Sequence, residues 1–86
     1  MNYAIRIKRS AAKELARVSR RDRLHIERAI NSLKKHPLSG TLLKGEYRGL
    51  RRLRYGDYRI VYAVLASELV VLVVRIAHRR EVYRRR

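Results

Sequence analysis

Residues 2–8, NYAIRIK, alternate between two kinds of position: Tyr3, Ile5 and Ile7 fall on one side, and Asn2, Ala4, Arg6 and Lys8 on the other. Period two marks a half-buried strand. The period then lengthens. Ala11, Leu15 and Val18 recur at helical spacing, which predicts a helix over 11–18 with Ser10 as its N-cap. Ser19 followed by Asp22 resembles a capping box, with Asp in place of the usual Glu. It predicts a second helix running to about His36, whose buried stripe is Ile26, Ala29, Ile30 and Leu33. Pro37 ends that helix, because proline disfavours helical geometry at the residue before it.

After the loop PLSGTLLKGE the pattern turns to strands. GLRRLR (49–54) is short, and Gly56 in the following YGD supplies the backbone freedom of a hairpin turn. YRIVYAVL (58–65) and ELVVLVVRI (68–76) are rich in β-branched residues and nearly continuous in apolar ones. Their tight connection through Ala66 and Ser67 predicts an antiparallel pair at the centre of a sheet. The order strand, two helices, three strands describes an α+β domain: an N-terminal strand, a helical hairpin and a three-strand antiparallel meander, with both helices on one face of the sheet. One small domain spanning 1–86 is expected, without repeats or linkers.

Composition narrows the chemistry. There is no Trp, Phe or Cys, so the core must come from Leu, Ile, Val, Ala and a few tyrosines, and neither disulfides nor thiol chemistry are available. The opening lacks the apolar stretch of an export signal, and LVVLVV at 69–74 is far shorter than the roughly 20 residues that cross a bilayer. A soluble, cytoplasmic protein with no membrane partner is expected. Charge is the strongest signal: 23 Lys+Arg against 7 Asp+Glu give a net charge of +16. Such a surface seeks a polyanion, and nucleic acid is the first candidate, ahead of an acidic protein. An apolar fraction of 47% is that of a folded domain rather than a disordered basic arm.

Alternation along 49–54 sets Arg52 and Arg54 opposite Leu53, the better core residue, so both arginines should leave the helix side of the sheet. Arg59 lies on the partner strand just beyond the turn, and Arg75, His78, Arg79 and Tyr83 follow at the end of the last strand. Several guanidinium forks on one sheet face suit a phosphate backbone, since each fork holds phosphate oxygens bidentately. Arginines on an exposed face can also serve only solubility, and Arg80, Arg84, Arg85 and Arg86 fit that description. Arg59 fits it less well, because it interrupts YRIVY, a strand otherwise made for the core. No P-loop, HExxH or carboxylate cluster is present. Phosphoryl chemistry would therefore be metal-free and cofactor-free, resting on Arg, Lys, Tyr and His.

Two blocks carry a family resemblance: LKGEYRGLRRLRYGDYRIVY, and VVLVVRIAHRREVYRR near the C-terminus, with RSAAKELARV at the first helix. The chain resembles the RelE family of toxin–antitoxin systems, within the wider RelE/ParE superfamily. The resemblance implies a toxin that enters the ribosomal A site and cleaves the mRNA there. The ribose 2′-hydroxyl attacks the adjacent phosphate, leaving a 2′,3′-cyclic phosphate and a free 5′-hydroxyl. It also implies an acidic-tailed, RelB-like antitoxin as partner, beside the ribosome and its mRNA. By position, Arg59 matches the family's first phosphate-gripping arginine, Arg79 the second, and Tyr83 the tyrosine proposed as general base. Arg52 falls where the family carries a basic residue at the scissile phosphate. Leu50 departs from the pattern, since some members have a second lysine there; Arg54 or Lys44 is the candidate replacement. Arg80 joins Lys44, Arg54 and His78 as candidate RNA contacts.

The same residues leave alternatives open. Tyr83 is either a proton-transfer group, its phenolate favoured by the surrounding cations, or a packed aromatic. His78 is a natural acid or base near neutrality and competes with Tyr83 for the role of base, though phosphate contact or orientation is the preferred reading. At the level of the whole chain, a ParE-type gyrase inhibitor and a non-catalytic RNA- or ribosome-binding module share the scaffold and the charge.

Overall fold

A computed structural model of the chain describes residues 2–78. The alternating opening forms β1 (Ala4–Ile7), followed by helices α1 (Arg9–Ala16) and α2 (Arg20–Ser32). Then come β2 (Thr41–Leu42), a 3₁₀ turn (Gly45–Tyr47), β3 (Arg51–Tyr55), β4 (Tyr58–Leu65), a second 3₁₀ turn (Ala66–Glu68) and β5 (Val70–His78). The strands form one sheet in the order β1-β5-β4-β3-β2. β1 runs parallel to β5, and the other neighbours are antiparallel. The expected α+β arrangement is therefore present, with the β4–β5 pair at its centre.

One core holds the elements together. Ala11, Leu15 and Val18 from the first helical segment and Ile26, Ile30 and Leu33 from the second pack on Ile60, Tyr62, Val71, Val73 and Ile76 of the central strands. The helix residues are those marked by helical spacing, and all the strand residues lie on one face. Ser19 caps α2 as expected, its hydroxyl accepting the Asp22 N–H at 3.4 Å. Ser10 does not cap α1. That helix begins two residues earlier than expected, behind Lys8, which lends no side-chain bond. α2 ends at Ser32 rather than His36, and its last turn gives way to turns before Pro37.

Two features went beyond the predicted meander. The loop after Pro37 contributes β2, whose two residues pair with Arg51 and Arg52. Tyr62, fully buried, donates its hydroxyl to the Pro37 carbonyl at 2.8 Å and accepts the Gly40 N–H at 2.9 Å. Arg51 Nη1 closes the same loop by donating to the Gly40 carbonyl at 2.9 Å. A Cβ on Gly40 would meet the Tyr62 hydroxyl at 2.6 Å and the Arg52 carbonyl at 2.8 Å, so only glycine fits. The second feature lies in β5. Val61 pairs with Arg75 and Tyr62 with Val73, which leaves Val74 as the extra residue of a β-bulge. No helix among the described residues is long and apolar enough to cross a membrane.

Candidate functional site

Cross-strand partners in a sheet point to the same face, so the register assigns every arginine of the central strands. Arg52 pairs with Val61, and Val61 with Arg75. In the next row Arg54 pairs with Arg59, and Arg59 with Ala77. Arg6, paired with Leu72, lies on this face as well. Leu53, Ile60 and Ile76 form the intervening row on the helix side. The face away from the helices thus carries Arg6, Arg52, Arg54, Arg59 and Arg75. The expected direction of Arg52 and Arg54 holds.

Arg59 is only 8% exposed, whereas Arg54 opposite it is exposed. An arginine kept for solubility would lie in water. This one lies in the sheet, engaged by its surroundings, with its Nε buried and not hydrogen-bonded. Like charges directly opposite each other disfavour a sheet, and an anion is the kind of group that two facing guanidinium forks accept. Strands about 4.8 Å apart keep Arg52, Arg54 and Arg59 as neighbours on one face.

The other candidates sit elsewhere. Lys44 is exposed just past β2, where the Leu43 N–H bonds to the Leu50 carbonyl at 2.8 Å, so it borders the Arg52 end of the face. Leu50, half-buried, spends its backbone on that edge. His78 pairs with Tyr58 and meets its ring edge-on at 5.3 Å. Strand alternation puts this pair on the helix side, with Ile60 and Ile76, so the structure does not bring His78 together with the arginines. Tyr55, beside Tyr58 on that side, stacks on His25 of α2 at 5.2 Å. Arg79, Arg80 and Tyr83 lie outside the described residues. Arg51, on the Leu53 side of β3, anchors the 37–40 loop through Gly40.

The comparisons agree on one kind of protein. The family model described as ParE toxin of type II toxin-antitoxin system, parDE, matches residues 5–83. Toxin RelG of Mycobacterium tuberculosis (strain ATCC 25618 / H37Rv) is 31% identical over 87 residues, covering 99% of this chain and all of that protein. Among solved structures, the toxin-antitoxin complex RelBE2 from Mycobacterium tuberculosis superposes with a TM-score of 0.85 at 26% identity, over 92% of this chain and 100% of that one. The archaeal RelE-RelB complex from Pyrococcus horikoshii OT3 gives 0.79 at 24% identity, over 92% and 97%. The intact E. coli RelBE complex gives 0.77 at 18%, over 88% and 95%. At those last two identities the likeness concerns the fold alone.

Proposed function

The chain belongs to the RelE/ParE superfamily of type II toxin–antitoxin toxins, and on that premise we propose that it is a ribosome-dependent endoribonuclease that cuts mRNA in the A site. The observation that carries the reading is Arg59, buried and directly opposite Arg54, with Arg52 one row away. Three guanidinium groups on one sheet face form a preorganised cradle for a phosphate. Such donors act most where negative charge grows, as it does on the phosphorane-like transition state of 2′-hydroxyl attack.

In this reading Arg52 and Arg59 grip the scissile phosphate and Arg79 neutralises the developing charge. Tyr83 takes the proton of the 2′-hydroxyl, whose oxygen bonds to phosphorus as the bond to the 5′-oxygen breaks. The departing 5′-oxygen takes a proton from solvent, and the products are a 2′,3′-cyclic phosphate and a free 5′-hydroxyl. Arg54, Lys44 and Arg80 hold flanking phosphates, and His78 acts on this site only through its packing on Tyr58. The ribosome supplies the in-line alignment of the attacking hydroxyl, a contribution worth several orders of magnitude. The protein works in the cytoplasm, and a RelB-like acidic antitoxin neutralises it by covering the arginine face.

A second reading has its own support, because the matching family model is that of ParE: the chain would then inhibit DNA gyrase. The two are separated by adding the purified toxin to a gyrase supercoiling reaction and, in parallel, to ribosomes programmed with a defined mRNA. Cleavage on the ribosome with unimpaired supercoiling is the expected result. Loss of supercoiling with intact mRNA would replace this reading by the second.

A further inference from the structure

β5 changes phase at Val74. Upstream, Val71 and Val73 enter the core. Uninterrupted alternation would send Arg75 in after them and turn Ile76 out, since a one-residue slip moves every later side chain to the other face. The bulge reverses this: Ile76 is 2% exposed in the core, and Arg75 joins the row of Val61 and Arg52.

The bulge lies where β5 has lost its neighbour. β1 ends at Ile7, with the Lys8 N–H bonded to the Val73 carbonyl at 2.9 Å, so among the described residues no strand lies beside the edge of β5 beyond that point. Glu14, the one acid of α1, fills the gap. Its Oε1 accepts the Ile76 N–H at 2.8 Å, and its Oε2 lies 3.6 Å from Arg75 Nε. One carboxylate thus holds both the backbone after the bulge and the side chain that the bulge turns out. The contact to Arg75 is made at Nε, and the Arg75 side chain remains 36% exposed.

We propose that Arg75 is a further phosphate-contact residue of the arginine face, and that Glu14 is its positioning residue, acting through the bulge. This rests on the reading of that face as an RNA site. Arg75 and Arg52 flank Val61 on either side, so the contact lengthens the phosphate track across the sheet from β3 to β5.

The test uses the full chain and a short labelled 2′-O-methyl oligouridylate, which lacks the attacking hydroxyl. Its affinity is measured across a salt series. Arg75→Ala should weaken binding about fivefold near 0.1 M salt and make the log–log salt slope shallower by about 0.7, the value of one single-strand phosphate contact. Glu14→Gln keeps an oxygen for the Ile76 N–H, so amide exchange there stays slow, while binding tightens about twofold to fivefold as a competing charge is lost. Glu14→Ala should speed exchange at Ile76 and leave Arg75→Ala without further effect in the double variant. That non-additivity is a readout a purely structural role would not give. If Arg75→Ala leaves the slope unchanged while Arg52→Ala and Arg59→Ala reduce it, the inference is overturned and the functional reading stands. If none of the three alters the slope, both fall. A full Arg75→Ala loss in the Glu14→Ala background overturns the positioning role of Glu14. Should Glu14→Ala not fold, Glu14→Gln decides that role, and rapid exchange at Ile76 there overturns it.

Discussion

Arg59 decides how the rest of the face is read. Cations on a strand surface are ordinary, but a buried one directly opposite another cation is not. Relieving the opposition should therefore stabilise the fold: Arg54→Thr is expected to raise the unfolding free energy by about 0.2–1 kcal/mol in urea denaturation, and a drop would mean that Arg54 holds the sheet together. Arg59→Ala should lower single-turnover cleavage by about 10²–10³, the usual loss for one preorganised donor. Tyr83→Phe keeps the ring but removes the hydroxyl proposed to take the proton. Cleavage should fall by roughly 10²–10⁴ with ribosome affinity nearly intact, and parental cleavage in that variant would remove Tyr83 from the chemistry. The side of Arg52 and Arg54 was legible in the sequence because strand period and the position of Leu53 fix it, whereas that of Arg59 comes from the hairpin register. The place of His78 was not legible, because the bulge resets the phase of β5 before reaching it.

Among the elements, the helices and the two central strands were written in their apolar spacing, and their stripes became the core. β2 was not legible, since two residues carry no period, and the loop containing it is held by groups far away in sequence. Tyr62 and Arg51 lie on strands, yet their polar ends close the 37–40 loop that leads into β2. The bulge was hidden for another reason: a run such as VVLVV is apolar at every position and gives alternation no phase to read. The clamp makes its own prediction. Tyr62→Phe leaves the Pro37 carbonyl and the Gly40 N–H without their partner, which should cost about 1–3 kcal/mol in chemical denaturation. An unchanged midpoint would show that the clamp does not hold the loop. Leu38 and Leu42, flanking it, are 63% and 55% exposed and add little burial of their own.

At the scale of the whole molecule, a net charge of +16 governs whom the protein meets and how fast. An acidic antitoxin should associate rapidly at low salt and at least tenfold more slowly as ionic strength rises about tenfold. Stopped-flow mixing checks this, and a salt-independent rate would place the neutralising contact on uncharged surface. Charge explains attraction to any polyanion, however, and does not separate a nuclease from a binding module or a gyrase inhibitor. The measurement that does so most directly is mapping of mRNA ends after the toxin is mixed with translating ribosomes, beside naked mRNA and beside Arg59→Ala. Cuts confined to the A-site codon, ending in a 2′,3′-cyclic phosphate, absent from naked mRNA and strongly reduced in Arg59→Ala, are the predicted result. Intact mRNA on ribosomes that the parental toxin has bound would contradict the account.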